Sequence, residues 1–114
     1  MMTELTQNHF KEFKKDYDVY GTETKTDRYS NEYTEKQDTP KDTIHVMWQP
    51  MTDYMAVVEY GQRVASMFYC ILYEDKDIDY NDIVIIDGEE YEVVGMKLFN
   101  TYTRVEVEKK AANT

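Results

Sequence analysis

The sequence predicts a mainly β fold: a small antiparallel β-barrel or sandwich with one short helix and a polar N-terminal segment. Three observations carry that expectation. From Ile44 onward, short apolar runs follow one another at strand length, several of them alternating with polar residues at period two. An Asp87-Gly88 pair stands between the runs IVII and YEVV, where a sharp reversal needs residues that tolerate positive φ. The strand–helix–strand alternation that builds parallel sheets is missing.

Taken in order, residues 1–43 are polar and poor in aliphatic side chains, and residues 44–110 carry the barrel. Leu5, Phe10 and Phe13 have the loose helical spacing of a short surface helix. The stretch VYGTETKTDRYSNEYTEKQDTPKD is rich in Thr, Tyr and charge. It reads either as a two-sided polar hairpin or arm, or as a segment ordered only once a partner covers it. IHVMWQP is a strand with Ile44, Val46 and Trp48 on one face, stopped by Pro50. In TDYMAVVEYG, Thr52 or Asp53 caps a short helix, and Met55, Val58 and Tyr54 form its apolar stripe. Gly61 closes that helix, which is expected to sit as a lid over one end of the barrel. VASMFYCILYE is a strand buried on much of both faces, and the IVII–YEVV hairpin follows. Gly95 marks a bulge, and a last strand turns Thr103, Val105 and Val107 inward before AANT frays.

Composition narrows the function classes. A chain of 114 residues favours one domain with a modest core. The formal charge of −10 repels phosphate and argues against sequence-specific nucleic-acid binding or adhesion to an anionic membrane. One cysteine, Cys70, fits a reducing compartment without a disulfide framework. The start MMTELTQNHFKEFKK has no apolar signal-peptide core, and no stretch is long enough to span a bilayer, so the expected site of synthesis is the cytoplasm.

The stretch YEDKDIDYND poses the sharpest chemical question. Asp75, Asp77, Asp79 and Asn81 fall at alternate positions, as the early ligands of a calcium loop do. The sixth position is Tyr80 where the turn glycine belongs, and the twelfth is Ile86 where a bidentate acid belongs. The stretch is therefore read as a solvated loop, with no metal and no cofactor. His9 and His45 stand apart from each other and from Cys70, too far in sequence for a compact zinc motif. Cys70 lies in an apolar strand where thiols are usually inert, and no nucleophile motif or phosphate-binding loop occurs. The expectation is a protein that is not an enzyme and acts through its surfaces. Trp48, Asp75, Asp77, Asp79 and Tyr80 are the candidate interface residues, Trp48 as an aromatic anchor.

The order of signals in VEYGQRVASMFYCILYED and DIDYNDIVIIDGEEYEVVGMKLFNTYTRVEVEK resembles the head completion proteins of tailed bacteriophages, also called head-tail connector or stopper proteins. Tyr60 and Gly61 after a short helix, Asp82 and Ile83 after an acidic turn, then Gly88, Tyr91 and Val93 carry the resemblance, which covers a little over half the chain. It implies a small barrel assembling as a homo-oligomeric ring in the virion neck, with the portal or an adaptor protein on one side and a tail-completion protein on the other. Assembly would take place in the host bacterial cytoplasm. Residues 17–43 and the 74–82 loop would supply contacts or a channel plug, and deleting that loop should leave a folded monomer that fails to complete infectious particles. The competing reading is a small acidic DNA mimic that inhibits a host nuclease.

Overall fold

The structure is a computed structural model, and it describes residues 14–110. The fold is mainly β, as expected. Among the described residues there are nine strands, one α-helix and one 3-10 turn. In chain order the strands are β1 (Lys15–Tyr20), β2 (Thr22–Thr26), β3 (Glu32–Lys36), β4 (Asp42–Val46) and β5 (Gln49–Pro50). After helix α1 (Tyr54–Tyr60) and a 3-10 turn over Gly61–Ser66 come β6 (Met67–Leu72), β7 (Ile83–Ile86), β8 (Glu89–Leu98) and β9 (Thr103–Lys109).

Seven strands form one antiparallel sheet in the order β4-β1-β7-β8-β9-β6-β5. The sheet curls into a half-barrel, with β4 lying beside β6 across the open side. Alternation decides what faces inward. Ile44 and Val46, Cys70 and Leu72, Val84 and Ile86, and Val105 and Val107 all point into one buried cluster. Phe68 meets Tyr91 edge-on there, with ring centroids 5.5 Å apart. At the reversal between β7 and β8, Asp87 has φ 52° and Gly88 φ 81°, the paired positive values of a two-residue hairpin turn.

Three expectations change in the structure. Lys15–Tyr20, counted among the polar N-terminal residues, is an interior strand pairing with both β4 and β7. Its inward residue Val19 is fully buried, so the half-barrel is built from both sides of position 43. The helix is not a lid over an end. It lies on the outer face of the sheet, where Met51, Ala56 and Met67 form a second small core with Tyr60, Val64, Tyr69 and Val94 around it. Asp53 caps it by accepting the Ala56 N–H at 3.2 Å, and Gly61 follows with φ 61°. Val64, expected in the following strand, falls in the 3-10 turn.

β2 and β3 stand apart as a two-stranded ribbon. Neither face of the ribbon is covered: only Thr22 and Lys36 at its base are partly buried. This is the two-sided polar hairpin.

Candidate interface site

Glu106 organises the outer face. It lies between Val105 and Val107 on β9 yet is only 1% exposed. Its carboxylate accepts from Lys97 Nζ at 2.5 Å, Tyr60 OH at 2.9 Å and Arg104 Nε at 3.0 Å. Burial pushes this acid up, but the bonds from Lys97, Tyr60 and Arg104 outweigh it and hold the group below its ordinary range. Burial, together with the bond to Glu106, pushes the Tyr60 hydroxyl up to about 12. Lys97 also reaches Glu59 at 2.8 Å and Arg104 reaches Asp53 at 2.8 Å, so one buried acid ties both ends of α1 to the sheet. Gly95 makes room for it. A Cβ there would collide with Glu106 Oε1 and lie 2.6 Å from Tyr60 OH, and the β8–β9 register shifts at this point in a bulge.

With its inner side fixed, α1 presents Tyr54, Met55 and Val58 outward at 78%, 71% and 62% exposure. The stripe expected to face the core therefore faces water, and Ala56 and Tyr60 turn inward instead. These three side chains make an apolar helix face that is open to water.

The acidic loop is more embedded than a solvated loop. Ile78 is buried in the main core and Asp82 is 5% exposed. Where β7 stops short of its longer neighbour, the loop continues the pairing: Asn81 N–H donates to the Val93 carbonyl and Val93 N–H to that of Asp82, both at 2.9 Å. Deleting residues 74–82 would therefore remove a core side chain and unpair β8, so it does not separate contact from fold as the sequence suggested.

Asp77, Asp79 and Asp82 converge on Lys41 Nζ at 3.4, 3.1 and 2.5 Å. Burial lowers that ammonium's pKa, but the bonds from Asp82 and Asp79 outweigh it and hold the pKa above its ordinary value. Asp42 accepts the Asp77 N–H at 2.7 Å and pins the other shoulder of the loop. Among the described residues no cluster of His, Cys, Asp or Glu is placed to hold a metal ion.

The predicted interface residues divide into four places. Asp77 and Asp79 gather on Lys41, while Asp75 lines a groove of about 440 Å³ between the acidic loop and the loop joining β8 to β9. Tyr80 lays its hydroxyl between the backbone N–H and carbonyl of Met96, at 3.2 and 3.3 Å, leaving its ring exposed. Trp48 packs half-buried against the main core, edge-on to Tyr17 at 6.0 Å. Its indole Nε1 is buried with no acceptor among the described residues. The groove holds aromatic residues that sequence reading passed over: Phe99 stacks on Tyr102 at 4.7 Å, and Tyr102 meets Tyr73 at 6.1 Å. Their clustering in LFNTY was the available signal.

The residues considered for chemistry lie apart. Cys70 is buried in the core, where desolvation pushes its thiol up to about 12. His45 is exposed, with Nδ1 2.8 Å from Asp16. His9, with the short helix expected around Leu5, Phe10 and Phe13, and the C-terminal AANT lie outside the described residues. No described helix is long and apolar enough to cross a membrane.

No family model and no curated protein sequence matches the chain. Solved structures share its fold, among them two from bacteria. Protein SF1141 from Shigella flexneri 2a matches with a TM-score of 0.60 at 11% identity, covering 86% of this chain and 93% of that one. The phage-like element PBSX protein xkdH from Bacillus subtilis matches with a TM-score of 0.51 at 16% identity, covering 84% of this chain and 95% of that one. At such identities the likeness is one of fold. It spans nearly the whole of each neighbour, and one of the two is a protein of a phage-like element.

Proposed function

We propose that this chain is a structural subunit of a phage or prophage neck, forming a ring between portal and tail that closes the head and joins the tail. The observation that carries this reading is the β2–β3 arm, a ribbon exposed along both faces beyond its base at Thr22 and Lys36. An isolated two-stranded ribbon is marginal in water, so an arm of this kind is useful chiefly where a neighbour covers it. The fold likeness to xkdH supports the phage assignment, as do the sequence signals around Tyr60, Asp82 and Tyr91.

The open face of α1 and the arm lie on different elements, which suits a head-to-tail contact in which unlike surfaces meet and the ring closes by rotation. The portal or adaptor protein and the tail-completion protein are the partners of this reading, and the chemistry is surface recognition without catalysis. A net charge of −10 leaves such a ring without grip on the genome passing through it.

The arm also provides the clean test. Its base is closed by a bond from Gln37 N–H to the Gly21 carbonyl at 2.9 Å, so residues 22–36 can be replaced by a short Gly-Asn turn without touching the half-barrel. The shortened protein is expected to keep its cooperative unfolding transition, while particles assembled with it lose packaged DNA or fail to bind tails. Infectious, DNA-filled particles would refute the assignment. Capture of a host nuclease in place of portal or tail proteins would favour the acidic DNA mimic.

A further inference from the structure

The outer edge of β2 is a row of unpaired backbone groups. Among the described residues β2 pairs with β3 alone. Gln37 N–H donates to the Gly21 carbonyl and Asp27 N–H to that of Asn31, so the backbone at both ends of β2 bonds toward β3 at odd-numbered residues. Antiparallel ladders alternate, so Glu23 and Lys25 also bond toward β3, while Thr22, Thr24 and Thr26 turn their N–H and C=O groups outward. Such an edge is a template for another strand. The ladder within the arm also sets Glu23 opposite Glu35, with Lys25 bridging the two at 3.4 and 2.6 Å.

We infer that two copies of this chain pair edge to edge through β2, antiparallel about a two-fold axis at Thr24, and join their arms into one continuous sheet. The strand TETKT is its own complement in this register. Thr24 meets Thr24 and Thr22 meets Thr26, all outward-turned residues able to exchange both backbone bonds. Glu23 meets Lys25 of the second copy, and Lys25 meets its Glu23. The nearest like charges across the axis, Glu23 with Glu23 and Lys25 with Lys25, are diagonal and a step farther apart. At the ends Asp27 falls against uncharged Gly21. Slipping the register by two residues sets Glu23 against Glu23 or Lys25 against Lys25. Slipping it by one sets outward groups against groups already bonded to β3. The edge of β3 has a similar pairing, Glu32 against Lys36, but Lys36 is engaged at the arm's base, 4.0 Å from the centroid of the Tyr20 ring and 3.2 Å from the Gln37 carbonyl. Residues 33–36 also line a cleft with Glu90 and Lys110, so that edge looks onto its own half-barrel. Pairing through β2 leaves the faces of the ribbon open and does not rest on the neck assignment.

Sedimentation equilibrium of the full chain, from micromolar to millimolar concentration, tests it. The weight-average mass is expected to rise from one chain toward two and to stop there. Glu23→Lys and Lys25→Glu should each weaken the dimer about tenfold or more, because each sets like charges opposite one another on both sides of the axis. Combining the two reversals restores opposite charges and should recover the wild-type mass. Thr24→Pro removes an outward N–H that β3 does not use, and should leave a folded monomer. A wild-type chain monomeric throughout would overturn the inference, as would growth past two copies. So would a dimer unmoved by the single reversals, or a combined variant that stays monomeric. Loss of the dimer in Lys36→Glu but not in Lys25→Glu would overturn it in favour of the β3 edge. None of these results alters the particle phenotype on which the neck assignment is tested, so the two readings fall separately.

Discussion

The β7–β8 hairpin and the β2–β3 arm are both antiparallel ribbons of one chain, and they are held by different forces. In β7, three of four residues are buried, and β8 sends Tyr91 and Val93 into the same core. In the arm no residue is fully buried. The first hairpin is fixed by the apolar area that it removes from water. The arm relies on local devices. Asp27 Oδ1 accepts the N–H groups of Tyr29 and Asn31 at 2.8 and 3.0 Å, and Lys25 pairs across the strands with Glu35 at 2.6 Å. Exposed ion pairs of this sort contribute little. Strand propensity and turn chemistry can thus shape a ribbon without anchoring it, whereas burial does both.

Three perturbations probe this contrast, from the largest effect to the smallest. Ile44→Ala empties a fully buried position on β4, opposite Tyr17 of β1, and should cost about 2–5 kcal/mol, read as a lower urea midpoint. Amide exchange within the arm should barely change, because the arm opens by its own local route. Parallel loss of protection in arm and barrel would show instead that the two form one cooperative unit.

Glu106→Ala strands Lys97 and Arg104, and Lys97 is still 40% exposed to water. That exposure reduces the usual buried-pair penalty to about 2–3 kcal/mol. The same acid sets a pH dependence. Its folded pKa lies below the ordinary 4.5, so its contribution is fully present above that value. The contribution is lost as pH falls through the lower folded value. Wild-type protein should therefore lose stability on acidification below pH 4.5 by a component that Glu106→Ala lacks.

Asp27→Ala removes two turn hydrogen bonds and should loosen the arm alone, by about 1 kcal/mol. Faster exchange at the backbone amides of residues 22–36, with an unchanged urea midpoint, is the expected result.

Much of the fold was legible where local chemistry and burial agree. Asp87-Gly88 announced its turn, Gly95 its bulge, and Val105 and Val107 their inward face. Reading failed where a partner far along the chain decides the outcome. Glu106 looks solvent-facing in the pattern Val-Glu-Val, because the groups that neutralise it sit at positions 60, 97 and 104. KDYDVY looked like part of a polar arm, since its alternating Tyr17 and Val19 are diluted by charge. The helix stripe was displaced because small Ala56, not bulky Met55, fits against Met51 and Met67. For the interface residues, the acidic loop was visible as charge, but the lysine that gathers it was not, being 36 positions before Asp77.

That lysine has a practical consequence. A cation carried on a side chain cannot be diluted, chelated or exchanged. Lys41 supplies the positive centre for its three aspartates from within the chain. The neighbouring surface should therefore keep one shape whether the medium is rich in divalent ions or stripped of them by a chelator.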